Sequence, residues 1–167
     1  MIAFTILDQK DFTSKLLLQD VFDHFWFFEG FVTTFNTFTI DGQLHHDFFD
    51  SSQDEIDGVA AQPFSCWKDV RPILLSLIKG NRPPISFKFI LQLPGPQVAQ
   101  LLSENGLPLH AEDVTGLYMN LQFHDGLMSC TTGSSLRFFT LDKTLDVLWD
   151  NTVLSFFRQN GMPFEQG

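Results

Sequence analysis

The sequence has 167 residues, of which 20 are Phe and one is Tyr, and it carries a formal net charge of −10. This length predicts a single domain spanning residues 1–167. The acidic balance argues against nucleic acids and membranes as partners, because Lys and Arg make most contacts with phosphate groups. Two cysteines without a CxxC pair, and no apolar run of the ~20 residues that span a bilayer, predict a cytoplasmic protein with free thiols.

The first half of the chain predicts a strand, a helix, a hairpin and a second helix. The strand is expected at 2–7, and an Asp cap begins a helix at 8–19. The Asp-Gly pair at 41–42 stands between the apolar runs of TTFNTFTIDGQLHHDFF, a strong signal for a hairpin with a two-residue turn. The acidic stretch 50–63 predicts a loop. A helix is expected at 69–80, because its proline fits only in a first turn.

The second half of the chain repeats this order. A strand is expected at 85–93 and a helix at 96–106, which begins with Pro and ends with Gly as helices often do. A second Asp-Gly pair, at 125–126, lies in GLYMNLQFHDGLMSCTT and predicts another hairpin. A short strand at 136–141 precedes the last helix, 142–161, whose apolar residues recur at the spacing of one helical face.

The shared order indicates an internal repeat, with pseudo-repeats at 1–80 and 85–161. Each half reads β-α-β-β-β-α, so the expected fold class is α+β, a curved and mainly antiparallel sheet with helices packed on one face. This order resembles the TATA-binding-protein-like fold and, less closely, the half-domains of sliding clamps. The resemblance implies topology alone, since the acidic chain lacks the basic surface with which those proteins contact DNA. A chance similarity of element order is the alternative.

A two-residue turn at the second Asp-Gly pair determines which residues of that hairpin face each other. Phe123 is expected opposite Met128, and Leu121 opposite Cys130, all on one face of the sheet. The other face of this hairpin is polar. We therefore expect a half-buried hairpin in which Cys130 is a core thiol.

The same register at the first Asp-Gly pair gives two mixed faces, and it places Phe38 and Ile40 on the face opposite the expected core. Upstream, the run 25–38 has large apolar residues at both odd and even positions. Three explanations stay open. The strand is central and covered on both sides, or a bulge near Gly30 or Asn36 changes the alternation, or an exposed apolar surface serves in binding.

The leading hypothesis is a non-enzymatic interaction module that uses an aromatic sheet surface. Its candidate binding residues are Trp26, Phe28, Phe38 and Ile40. The motivation is the surplus of apolar side chains on both strand faces together with the lack of a recognisable catalytic constellation. A homodimer is the simplest form of this module. Another protein or a small apolar ligand is the alternative partner, and no cofactor is expected.

A metal-assisted hydrolase is the second hypothesis. His45 and Asp47 in LHHDFFD would share one face of a strand, with Asn36 opposite Asp47, and such residues serve as metal ligands or acid–base pairs. No third ligand stands at a usual spacing, and a solvated strand face is the simpler interpretation. A third hypothesis, nucleic-acid binding by a saddle-shaped sheet, conflicts with the net charge of −10.

Basic side chains are most concentrated at Lys79 and Arg82, with Lys68 and Arg71 upstream. One interpretation is a phosphate-binding patch. The other, which the acidic chain favours, is a solvated helix face.

Three segments of the chain are similar to a family of uncharacterised bacterial proteins, a domain of unknown function: TTFNTFTIDG, SCWKDVRPILLSLIKG and SCTTGSSLRFFTLDKTLDVLWD. The likeness runs nearly from end to end. The family has no assigned activity, so the resemblance implies a bacterial cytoplasmic protein and no particular chemistry.

Overall fold

A computed structural model describes residues 1–49 and 62–167. Within these residues the chain is α+β, as expected, with four α-helices and eight strands in one open, mostly antiparallel sheet. The acidic loop predicted at 50–63 lies, except for its last two residues, outside the described residues. In chain order the elements are β1 Ala3–Ile6, α1 Gln9–Leu17, β2 Trp26–Thr33, β3 Thr37–Asp41, β4 Ser65–Cys66, α2 Trp67–Ile78, β5 Ser86–Gln92, α3 Gly95–Glu104, β6 Val114–His124, β7 Leu127–Leu136, α4 Thr144–Gln159 and β8 Phe164–Gln166.

The helices begin close to the positions that local signals predict, with one difference. α1 follows Asp8, whose carboxylate accepts a hydrogen bond from a first-turn N–H at 3.1 Å. α2 begins at Trp67, earlier than expected, so Pro72 lies inside the helix. Trp67 determines this start. Its backbone N–H donates to the carbonyl of Phe25 at 2.9 Å, and its indole N–H donates to that of Leu16 at 2.8 Å.

The sheet has the strand order β3-β2-β5-β6-β7-β1-β8, with β4 paired to β2. The first half of the chain has the predicted order β-α-β-β-β-α. The second half differs, because 137–141 is not a strand and β8 pairs with β1. The first strands of the halves also differ in partners, since β5 lies between β2 and β6 but β1 lies between β7 and β8. The TATA-binding-protein-like topology is not confirmed, and the single domain with pseudo-repeats 1–80 and 85–161 stays a prediction.

The core lies on one face of the sheet, the inner face, where the helices pack. Trp67 of α2 contacts Phe27 and Phe89, with ring centroids 5.7 and 5.4 Å away. Phe157 of α4 contacts Phe4 of β1 at 4.9 Å. These side chains are at most 2% exposed, and burial of each contributes about 1.5–3 kcal/mol to folding. Buried residues of α1 and α3 belong to the same cluster.

The hairpin of β6 and β7 has the register predicted from the sequence. Leu121 pairs with Cys130, and the other predicted pairs are also found. Asp125 and Gly126 have φ angles of 51° and 75°. Positive φ at both central residues is typical of the type I′ turn, whose twist matches that of the flanking strands. Cys130 is fully buried, as expected.

The prediction that the first Asp-Gly pair forms the turn of a hairpin is wrong. β2 and β3 join through a turn at 34–36, and Asp41 is the last residue of β3. Gly42 lies against β2, where its N–H donates to the carbonyl of Phe28 at 2.8 Å. A Cβ on Gly42 would lie 1.8 Å from the carbonyl oxygen of Phe27. The glycine is therefore needed for close approach of two backbones and not for a turn.

A β-bulge explains the mixed alternation of the Phe-rich run. The pairing of β2 with β5 shifts between Phe27 and Glu29, so Phe28 is the extra residue. Phe27 before the bulge and Val32 after it are both fully buried, although one position is odd and the other even. Trp26 and Phe28 are left on the opposite face of the sheet, called here the outer face, where both are half-buried.

Candidate functional site

Four aromatic side chains form a cluster on the outer face, called here the outer cluster: Trp26, Phe28, Phe64 and Tyr118. Phe28 is central, with its ring centroid 5.1 Å from that of Phe64 and 5.4 Å from that of Tyr118. Trp26 lies 6.3 Å from Phe64. The planes are inclined by 50° to 69°, as in tilted and edge-to-face aromatic pairs. All four side chains are half-buried, so part of their ring surface remains in water.

Gln92 lies between two members of the outer cluster. It pairs with Trp26 on one neighbouring strand and with Tyr118 on the other. The residue is only 8% exposed, and its Oε1 has no hydrogen-bond partner within the part of the chain that the structure describes. A buried amide oxygen without a donor costs about 1–3 kcal/mol.

The position of Tyr118 depends on Gly116, which precedes it on β6. A Cβ on Gly116 would lie 2.3 Å from the ring and hydroxyl of Tyr118, so this side chain lies along its own strand over the glycine. Burial raises the pKa of Tyr118 above its ordinary value, and a phenol is a neutral donor at physiological pH even without this rise. The carbonyl of Tyr118 accepts a hydrogen bond from the indole of Trp149 at 2.9 Å and so connects the outer cluster to α4.

Cys66 extends this row of side chains at the β4 end. It pairs with Trp26 and accepts a hydrogen bond from the side-chain amide of Gln62 at 3.2 Å. Both cysteines are free thiols. Cys66 is half-buried beside the outer cluster, whereas Cys130 is fully buried on the inner face.

The part of the outer face formed by β5, β6 and β7 is poor in charge, whereas Glu29 of β2 and Asp41 of β3 lie on the same face nearer its β3 edge. The alternation of β5, β6 and β7 directs mostly small or uncharged side chains to it, and Lys88 is the one formal charge among those named below. The whole chain, by contrast, has 10 basic and 20 acidic residues. Few charges together with aromatic residues are typical of the centre of a protein interface. The side chains concerned are Ser86, Lys88, Ile90, Asn120, Gln122, Ser129 and Thr131.

The structure separates the four predicted binding residues into two pairs. Trp26 and Phe28 lie together in the outer cluster. Phe38 and Ile40 lie on the inner side of β3, because they pair with Val32 and Gly30, which face the core. The prediction that they share a surface with Trp26 and Phe28 is wrong, since it assumed a turn after Ile40 that the chain makes at 34–36 instead.

The geometry expected for the metal site is not found. His45 precedes a single turn of 3₁₀ helix that contains Asp47, so the two residues do not share the face of a strand. Both are exposed, and Asn36 lies in the β2–β3 turn. Within 1–49 and 62–167, no three His, Cys, Asp or Glu side chains come together as a metal site. A metal-binding role for His45 and Asp47 stays a prediction without the arrangement that suggested it.

Sequence reasoning missed Phe64, Gln92 and Tyr118. A signal existed for Tyr118, the single Tyr of the chain, because it has the same parity as the polar residues predicted for the far face of its hairpin. Phe64 precedes a strand of two residues, too short to predict. Nothing local indicates that Gln92 is buried.

The basic group predicted around α2 is divided in the structure. Arg71 binds the carboxylate of Asp23 through two nitrogens, at 2.8 and 3.1 Å, and this hydrogen bonding raises its pKa. Lys68 is exposed on α2. Lys79 and Arg82 line a groove beside the β2–β3 turn. The four residues therefore do not form one patch.

Comparison with known proteins identifies a family and nothing more specific. Residues 15–165 match the model of a family of unknown function, DUF5721. No curated protein and no solved structure matches the chain. None of the helices in the described ranges is both long and apolar enough to cross a bilayer.

Proposed function

The chain belongs to this family of unknown function, and we propose that it is a non-enzymatic interaction module that forms a homodimer through the outer face. The outer cluster is the observation that carries the proposal. Trp26, Phe28, Phe64 and Tyr118 are aromatic, outside the core and incompletely buried. Trp and Tyr in such positions are the residues that contribute most to binding at protein interfaces.

The outer face has about the area that a stable dimer needs. Five strands at a spacing of about 4.8 Å, each with about seven residues at 3.3 Å per residue, give roughly 550 Å² in projection. An interface of ordinary size buries about 800 Å² of each partner. Side chains make the accessible area of a sheet larger than its projection, so the two values are comparable.

The distribution of charge over the chain makes a second copy a suitable partner for the outer face. Each copy carries a net charge of −10, so two copies repel one another unless they meet where charges are few. The part of the outer face formed by β5, β6 and β7 satisfies this condition, since Lys88 is its one formal charge. Glu29 of β2 and Asp41 of β3 lie on the same face, nearer its β3 edge. Two sheets with small side chains pack face to face at about 10 Å, and a twofold axis lets one surface serve both partners.

A cytoplasmic location is part of the proposal. The two free thiols support it, because disulfides are rare in a reducing compartment. The bacterial origin implied by the family resemblance also remains a prediction.

Light scattering with two matched variants tests the homodimer. Ser129→Arg adds a long cation to the outer face, where Ser129 is half-buried between Thr5 and Gln122. Ser103→Arg makes the same change at an exposed position of α3. We expect a solution mass of twice 19.1 kDa for the natural chain and for Ser103→Arg, and a single-chain mass for Ser129→Arg.

A single-chain mass for the natural protein at all concentrations contradicts the homodimer. Equal dimers of both variants also contradict it, since the interface would then lie elsewhere. If the natural chain is a monomer but binds another protein or an apolar compound in a manner that Ser129→Arg abolishes, the outer face is a binding surface with a different occupant.

A further inference from the structure

We propose that a groove at the β2–β3 turn, distinct from the outer face, binds an acidic peptide segment of another protein that carries a large apolar side chain. The groove has a volume of about 670 Å³ and lies between the β2–β3 turn and the C-terminal end of α2. It is separate from the outer cluster, because Phe38, which lines it, lies on the inner side of β3. The inference does not depend on the proposed homodimer.

The walls of the groove are apolar and accessible. Phe35 is 86% exposed and Ile85 67% exposed, although large apolar side chains are usually covered in a folded domain. Phe35 packs edge-to-face against Phe38, with ring centroids 5.8 Å apart. The backbone N–H of Ile85 donates to the carbonyl of Thr33 at 2.8 Å. This bond holds the two walls together, so the groove is already formed before a partner binds.

Two cations line the same groove. Lys79 directly follows α2, and Arg82 lies in the connection to β5. Neither forms an ion pair with any residue in 1–49 or 62–167. The groove has no carboxylate among its lining residues, so no carboxylate of the described residues neutralises either cation.

The sequence around the groove is free of acidic residues, which is unusual for this chain. No Asp or Glu occurs between Glu29 and Asp41, or between Asp69 and Glu104. These two segments supply every residue that lines the groove. In a chain with 20 acidic residues and a net charge of −10, the groove is thus a local region of positive charge. Its charge is complementary to an acidic partner and would repel a basic one.

An acidic peptide fits the groove better than other anions. Nucleic-acid binding requires many cations along a backbone, and the groove has Lys79 and Arg82 alone. A phosphate ion would leave the apolar surface of Phe35 and Ile85 uncovered. A peptide with carboxylates beside a Phe, Trp or Leu side chain satisfies both features, because the carboxylates pair with the cations while the apolar side chain covers the walls.

Synthetic peptide arrays test this proposal with two matched pairs of variants. One array holds 12-residue peptides with a single Phe, Trp or Leu and several Asp or Glu residues at varied spacing. The second array replaces each acid with its amide. Arg82→Glu is compared with Lys68→Glu, an exposed cation of α2 outside the groove. Phe35→Ser is compared with Phe48→Ser, since both phenylalanines are 86% exposed.

We expect the protein to bind a subset of the acidic peptides and none of the peptides in which amides replace the acids. Arg82→Glu and Phe35→Ser should each weaken the best peptide at least tenfold, while Lys68→Glu and Phe48→Ser leave it within twofold. The proposal is overturned if acidic and amide peptides bind alike, if no peptide binds at millimolar concentration, or if both members of a pair have the same effect. Binding to anionic vesicles in place of any peptide also overturns it.

Discussion

The aromatic side chains of the core on the inner face, called here the inner cluster, are of the same kinds as those of the outer cluster but are more deeply buried. Phe12, Phe22 and Phe157 on the inner side are 0% exposed and pack against one another at 5.7 to 6.4 Å. Trp26 and Phe28 of the outer cluster are half-buried. An aromatic ring already removed from water stabilises the fold, whereas one that stays partly hydrated has apolar area left for a partner.

A single strand supplies both clusters. Along β2, Phe27 and Val32 face the core, while Trp26 and Phe28 face outward. The bulge at Phe28 makes this division possible, because it changes the alternation within the strand. Substitutions in the inner cluster should therefore act mainly on folding, and those in the outer cluster mainly on association.

The largest effect is expected in the inner cluster. Phe157→Ala should lower the free energy of unfolding by about 3–5 kcal/mol, because Phe157 is fully buried against Phe4 and Phe12. Urea denaturation measures the loss. A loss below about 1 kcal/mol would mean that the inner cluster tolerates a cavity and is not the principal core.

A smaller effect is expected at Gly116, where the ring of Tyr118 lies over its own strand, β6. Gly116→Ala places a Cβ 2.3 Å from the Tyr118 ring, and such overpacking costs about 1–3 kcal/mol. The double variant Gly116→Ala, Tyr118→Ala should lose less than the sum of the single variants, since the clash is gone. Strictly additive losses in urea denaturation would indicate that the two positions do not interact.

Removal of an outer ring should affect association more than folding. Phe28→Ala is expected to cost about 1 kcal/mol of unfolding free energy, because the side chain is only half-buried. The same change should weaken the homodimer at least tenfold, a loss found when a hot-spot residue near the centre of an interface is truncated. Sedimentation over a dilution series measures the affinity of the homodimer, with Phe48→Ala as a control at an exposed position. Unchanged dimer affinity would exclude Phe28 from the interface.

Replacement of Gln92 should stabilise the folded chain. Gln92→Met keeps the size of the side chain and removes an amide oxygen that has no partner in the described residues. We expect the unfolding free energy to rise by up to about 1 kcal/mol. If stability falls by more than this in urea denaturation, Gln92 makes a stabilising hydrogen bond in solution.

Chemical labelling of the two thiols compares the outer and inner sides of the sheet without any substitution. Cys66 is half-buried and Cys130 fully buried, and burial raises the pKa of Cys130 far above its ordinary value. A thiol reagent should therefore label Cys66 in the native protein and Cys130 only after unfolding. Mass spectrometry of labelled peptides follows both sites. Native labelling of Cys130 would contradict its place in the core.

Two identical dipeptides illustrate how far the sequence predicts this fold. Asp125-Gly126 forms the predicted turn with positive φ at both residues, because local preference and strand pairing agree there. Asp41-Gly42 does not form a turn. Its role depends on the carbonyl of Phe27, which is distant in sequence and approaches too closely for any Cβ. The strand faces around Phe38 and Ile40 were misassigned for this reason.

The candidate site was predictable in part. The surplus of apolar residues in one strand, a local property, points to Trp26 and Phe28. It does not point to Phe64 and Tyr118, because the outer cluster is assembled by pairing across strands. In addition, β4 has too few residues to show alternation. The charges of Lys79 and Arg82 are evident from the sequence, but their position beside Phe35 follows from the tertiary fold.

Fluorine NMR of protein labelled with 5-fluorotryptophan tests most directly whether the outer cluster is the interface. The chain has three tryptophans. Trp67 and Trp149 are at most 2% exposed and report on the inner side, whereas Trp26 reports on the outer cluster and is assigned by the Trp26→Phe variant. On dilution from dimer to monomer, the resonance of Trp26 should shift while the other two stay constant. A constant Trp26 resonance, or a shift of all three, would contradict an interface formed by the outer cluster.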